Sequence, residues 1–211
     1  MDVATPVMSV VEQLRRENGA HIDVSVGQGR DAVRKKLQER LGERVAEPVL
    51  DKALSEIQKA LAELAQRLRP YELPQDYLFF LEYYGGLFLE SGAHYFAVLG
   101  VGPMVEEWYA AIDSDSAIPE LVKYDFLQVG TLSFRAETYQ FQRVSFVLDL
   151  AGTIQKHAII GIGPWGHGGI TPLDVVRNPR EFTGAWQLSA KSFTSWLSQA
   201  AATKGAFGYE I

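Results

Sequence analysis

Residues 142–160 read QRVSFVLDL-AG-TIQKHAII. Val144, Phe146, Leu148 and Leu150 alternate with other residues and share one face, as in a half-buried strand. A second β run occupies 153–160, and the two-residue connection Ala151-Gly152 predicts a hairpin. Working outward, Phe126 to Gly130 and HYFAVLGV (94–101) read as further strands, with a helix entered at Pro103 and running to Ile112 between them. Upstream, Pro74-Gln75-Asp76 opens a short helix from Tyr77 to Tyr84, which Gly85-Gly86 ends. Downstream, Gly161 to Gly169 is expected to be a glycine-rich loop, and a last helix is expected near 189–203. Helix, a run of strands, then helix predicts an α+β fold, with an antiparallel-rich central sheet and flanking helices.

The first third of the chain has a different grammar. Val7, Val10, Val11 and Leu14 recur at helical spacing up to Asn18-Gly19, and HIDVSV (21–26) alternates as a strand would. Asp31 stands where a helix cap is expected, ahead of a Val33, Leu37 and Leu41 stripe stopped by Gly42. From Glu47 to Arg69, Leu50, Leu54, Ile57, Leu61, Leu64 and Leu68 put six large side chains on one helix face, with Pro48 in the first turn and Pro70 closing it. These residues predict an N-terminal helical appendage over 1–46 and an α+β domain over 47–211.

Composition excludes several functions. The 211 residues are 47% hydrophobic and contain no cysteine, so a packed core is available and disulfide, zinc-finger and cysteine-nucleophile chemistry is not. No apolar run reaches the roughly 18 residues of a membrane-spanning helix, so no membrane insertion is expected. The opening MDVATPVMSVVEQLRREN places acid before its apolar stretch and basic residues after it, the reverse of a secretory signal, and a cytoplasmic protein is expected. The net charge of −6 disfavours nucleic acid as a partner. Residues 71–125 carry ten acids against Lys123 alone, and this segment suits a basic protein partner through Glu106, Glu107, Asp113 and Asp115. Solvated helix faces explain the same acids without a partner.

The search for catalytic motifs returns little. Gly161-Ile162-Gly163-Pro164-Trp165-Gly166 matches the dinucleotide pattern in letters, but Pro164 and the following glycines leave no helix start to meet a pyrophosphate. The histidines His21, His94, His157 and His167 have no metal-ligand spacing, and no metal or cofactor is expected. His157 and His94 read as ordinary sheet residues. His167, beside Trp165 in the glycine loop, is the one histidine such a loop would present to a ligand. No nucleophile elbow exists, and the acid pairs qualify by residue type alone. No catalytic residue is assigned. Among the aromatics, Tyr77, Phe79, Phe80, Tyr83 and Tyr84 are too many for one buried face, so some must line a groove or a neighbouring helix. Trp108, Trp165 and Trp186 read as core or as partner anchors.

Leu73-Pro74-Gln75-Asp76-Tyr77, Phe80-Leu81 and Tyr84-Gly85-Gly86 resemble the opening signature of the SUKH superfamily, named for yeast regulators of cell-wall synthesis and including many bacterial immunity proteins. The order of elements over roughly 55–203 is similar too: a strand, a helix near Pro103, a strand ending in glycine, a strand with Leu148-Asp149, and a final helix with Ser192-Phe193-Thr194-Ser195-Trp196-Leu197. The segment 133–142 departs from the glycine-rich turn usual in the family. The resemblance implies a non-catalytic module, an immunity-type antidote that binds and neutralises a toxin, candidate partners being basic toxin domains; independently of it, the acidic segment and the glycine loop offer Glu106, Glu107, Asp113, Asp115, Trp165 and His167 as candidate contacts. The alternatives to an antidote are a regulatory or scaffold protein of the same fold and, in another class, a hydrolytic enzyme using the Trp165/His167 loop.

Overall fold

The computed structural model describes residues 3–92, 94–102, 121–135, 141–165 and 170–209. Its centre is a seven-stranded sheet in which every neighbouring pair is antiparallel and spatial order equals chain order: β1 His21–Asp23, β2 Gly86–Ser91, β3 His94–Val98, β4 Phe126–Arg135, β5 Phe141–Asp149, β6 Ile159–Trp165 and β7 Trp186–Ala190. The helices are α1 Ala4–Asn18, α2 Arg30–Leu41, α3 Glu47–Arg67, α4 Gln75–Tyr83, α5 Pro172–Arg177 and α6 Phe193–Ala202. The expected α+β architecture, a central antiparallel sheet with flanking helices, is the observed one.

The principal core lies between α1, α4, α6 and one face of the sheet. Alternate residues Leu87 and Leu89, Phe96 and Val98, and Val144, Phe146 and Leu148 point into it, as the two-residue period of strands requires. Trp196 of α6 is fully buried among Phe96, Phe146 and Phe207, with ring centroids 5.1–5.7 Å apart. A second cluster packs α5, through Val175 and Val176, on Phe126, Val147, Ile160 and Ile162. A third joins α2 to α3 through Val33, Leu37, Leu50 and Ile57.

The N-terminal helices are present, and α1 and β1 pack against the α+β elements that follow. Val7, Val11 and Leu14 are buried in the principal core, Asn18 Nδ2 donates to the Ala201 carbonyl at 2.9 Å, and β1 pairs with β2. A stripe of valines on α1 buries more apolar surface against α6 than a solvated helix would, which draws the segment in. The 21–26 strand stops at Asp23, and Val26–Gln28 forms a 3₁₀ turn. Asp31 is not the cap of α2. Gly29 is, at φ 86°, because the chain must reverse there, and Asp31 lies inside the first turn. On the leucine stripe, Leu50, Ile57 and Leu68 are buried and Leu54, Leu61 and Leu64 half-buried, all facing the protein.

The hairpin is antiparallel, with Leu148 opposite Ile159, but it does not turn at Ala151-Gly152. The buried Asp149 carboxylate accepts four backbone N–H groups, from Gly152, Thr153, Ile154 and Gln155 at 2.7–3.0 Å. That gathers the chain into a longer connection. His157, expected in a strand, sits in this connection at φ 63° and donates its N–H to the Asp149 carbonyl. The strand resumes at Ile159 and runs straight through the expected glycine loop as far as Trp165.

Candidate protein-binding surface

The residues that carry the family resemblance meet in space. Asp76, at the start of α4, accepts from the Thr194 backbone N–H at 2.8 Å and from Thr194 Oγ1 at 2.9 Å, both at the first turn of α6. The carboxylate thereby satisfies an orphan donor at the α6 N-terminus and meets the positive end of its dipole. Tyr77 and Phe80 pack on Phe193 with centroids 4.7 and 5.2 Å apart. Ser192 caps α6 through a capping box with Ser195. The Gly85-Gly86 turn crosses 100–102 backbone to backbone: a Cβ on Gly100 would lie 2.1 Å from the Gly85 carbonyl oxygen, and the Gly102 N–H donates to that oxygen at 2.7 Å. Each motif residue type is thus accounted for by how α4, α6 and the sheet are joined.

Of the ten acids in 71–125, Glu72, Glu82 and Glu90 are exposed. Asp76 is engaged with Thr194, and Asp125 accepts from the Tyr71 hydroxyl, so two of the acids serve the fold. Glu106, Glu107, Asp113, Asp115 and Glu120 lie outside the described residues, as do His167, Trp108 and the helix expected from Pro103 to Ile112. Trp165 is the last residue of β6, paired with Arg143. Trp186 is half-buried and donates its indole N–H to the Pro179 carbonyl at 2.9 Å. His94 is buried, its Nε2 donating to the Lys204 carbonyl at 2.8 Å, which is a structural role. The dinucleotide-like letters lie on β6, where Gly161 to Trp165 are extended sheet. Among the described residues no cluster of three or more His, Asp or Glu stands within metal-ligating reach, and no helix is long and apolar enough to cross a membrane.

A concavity of about 620 Å³ was not foreseen. It lies between α1 and α2, bordered by the edge strand β1 and closed by Tyr83 and Tyr84. On the α1 wall, Arg15 grips Glu12 through two hydrogen bonds of 2.8 and 2.7 Å, which lowers the Glu12 carboxyl and raises the Arg15 guanidinium. Tyr83 stacks on Phe79 at 5.3 Å and meets Tyr84 edge-on at 5.0 Å. Burial, reinforced by Tyr83 and Glu12, pushes the Tyr84 phenol up to about 12, so it stays a neutral donor. On the α2 wall, Lys36 lies 3.8 Å from Glu39, while Lys35 has no ion-pair partner among the described residues. No short motif signals this groove, because it arises only when three separate elements assemble.

The fold and these surfaces define an α+β protein built on an antiparallel seven-stranded meander. Compared with family models, with curated proteins and with solved structures, the chain finds no match in any of the three.

Proposed function

We propose that this chain is a non-catalytic protein-binding module of the SUKH kind, an antidote that neutralises a toxin in the cytoplasm by covering its surface. The observation that carries the reading is the Asp76–Thr194 contact. It joins the first and last motifs of the resemblance across 118 residues, so the motifs act as one architectural unit rather than as scattered letters. The acid-rich composition of 71–125 supports a basic partner, because opposite charge raises the rate of encounter. Glu106, Glu107, Asp113 and Asp115 are the proposed steering residues, with Trp165 and His167 as further contacts.

Growth rescue tests the reading. Cells expressing the product of the gene next to this chain's own should die when it is expressed alone and survive when the chain is co-expressed. Survival that requires His167, while the purified chain hydrolyses a toxin product, would favour the enzyme alternative instead.

A further inference from the structure

We propose that Asn18 is a deamidation site, at which the backbone nitrogen of Gly19 closes a succinimide on the Asn18 side chain at a rate set by the opening of the α1–α6 contact. The product acts as a one-way release of α1 from the rest of the fold. This inference is independent of the antidote reading.

Three observations lead there. First, the chain contains two asparagines, Asn18 and Asn178. Asn18 precedes a glycine, which has no side chain to obstruct attack by its own nitrogen. Asn178 precedes Pro179, which has no N–H to give up, so this route is closed to it. Second, there is room for the ring. Gly19 is exposed, and a Cβ placed on it would meet nothing within 4 Å. Third, both reacting groups are held apart in the folded state. Asn18 is the last residue of α1, and its Nδ2 donates to the Ala201 carbonyl of α6 at 2.9 Å. The Gly19 N–H, at φ 74°, donates to the Leu14 carbonyl as the cap of α1. A helical backbone does not present the Gly19 nitrogen to Asn18 Cγ, so ring closure needs the last turn of α1 to open and both hydrogen bonds to break. That turn is held down by Val11 and Leu14 in the principal core, and local opening of their contact gates the chemistry.

In the opened state the Gly19 nitrogen attacks Asn18 Cγ and loses its proton. The Cγ–Nδ2 bond breaks, and Nδ2 takes up a proton and leaves as ammonia. Water then opens the ring at either carbonyl, giving aspartate or isoaspartate. In all, one water is consumed and one ammonia released, with no change of oxidation state. The product cannot restore the clamp, because an ionised carboxylate only accepts, as does the Ala201 carbonyl opposite. It also stands at the negative end of the α1 dipole, where the two last-turn cations, Arg15 and Arg16, are both already paired with Glu12.

Peptide mapping by mass spectrometry, on the full chain held at mildly alkaline pH, tests the proposal. Isoaspartate should accumulate at Asn18 and not at Asn178. Its formation should be at least about tenfold faster in urea-unfolded chain than in native chain, and faster in a folded Val11→Ala variant, whose α1 is less firmly docked. In the unfolded chain Gly19→Ala should slow it, because the added methyl obstructs the attack. Asn18→Asp should accelerate hydrogen exchange along α1 while amides in β4 and β5 change little. The urea comparison uses the unaltered sequence, so it holds even if Val11→Ala fails to fold. Aspartate without isoaspartate, equal rates in native and unfolded chain, or unchanged α1 exchange in Asn18→Asp would overturn the proposal.

Discussion

The Asp76 carboxylate holds the first turn of α6 by accepting both the backbone N–H and the hydroxyl of Thr194, 118 residues later in the chain. Local order in α4 and α6 is therefore coupled to long-range assembly of the sheet between them. Charge-assisted hydrogen bonds of this kind typically contribute about 1.5–3 kcal/mol each. Asp76→Ala should destabilise the fold by about 2–3 kcal/mol in urea unfolding. In a double-mutant cycle with Thr194→Val, the coupling should be about 1 kcal/mol. Additive effects would mean that the contact does not bear on stability.

The neighbouring backbone crossing is the next test. A methyl on Gly100 would lie 2.1 Å from the Gly85 carbonyl oxygen and 2.8 Å from the Gly86 Cα, and backbone cannot swing aside as a side chain can. Gly100→Ala should cost about 3 kcal/mol or more and lower the urea midpoint, well beyond an ordinary surface substitution. A change under about 0.5 kcal/mol would show that the two segments do not cross in contact.

At the β5–β6 connection, one carboxylate replaces the turn chemistry that a two-residue hairpin would use. Asp149→Asn keeps the shape but removes the charge and leaves one oxygen to accept where two did. Hydrogen exchange at Gly152, Thr153, Ile154 and Gln155 should accelerate by at least about tenfold, corresponding to ~1.4 kcal/mol, while amides in β3 and β4 change little. Unchanged exchange at those four amides would remove Asp149 from its assigned role.

Between α2 and α3, Glu47 accepts from Arg34 at 2.6 Å and Arg30 at 2.5 Å, and these bonds lower its carboxyl from 4.5 to about 2. A lowered carboxyl pKa means that the folded state favours the ionised form. Its contribution is therefore complete above the unfolded value of about 4.5 and is lost as pH falls from there through about 2. A carbon-detected titration of Glu47 should show a midpoint near 2, and the variant R30A/R34A should return it towards 4.5. A native midpoint already near 4.5 would show the cluster to be open in solution.

Much of the architecture is written in local patterns. The α1 valines, the α3 leucines, the strand character of 144–148 and the Ser192–Leu197 helix all follow from periodicity and capping. What was hidden has identifiable causes. β2, GLFLES, follows Gly85 directly, and its Leu87, Phe88 and Leu89 are all buried, so no alternation marks it. β6 looks like a loop because of its glycines. Yet a Cβ at Gly161 would lie 2.9 Å from the Tyr209 hydroxyl, so glycine stands there to admit a neighbour and not to turn the chain. α5 did carry a signal, since Thr171 and Asp174 form a capping box around Pro172. The proposed acidic contacts are legible only as composition, and the groove along β1 is not legible at all, because α1, β1 and α2 define it jointly.

The antidote reading is tested most directly by the association rate between this chain and the product of the neighbouring gene, measured against ionic strength. The account predicts a stoichiometric complex whose association slows as salt rises. Reversing Glu106, Glu107, Asp113 and Asp115 to Lys should slow association further and flatten that dependence, with little loss of stability. Failure to form a complex, or a rate that salt and the four reversals leave unchanged, would contradict it.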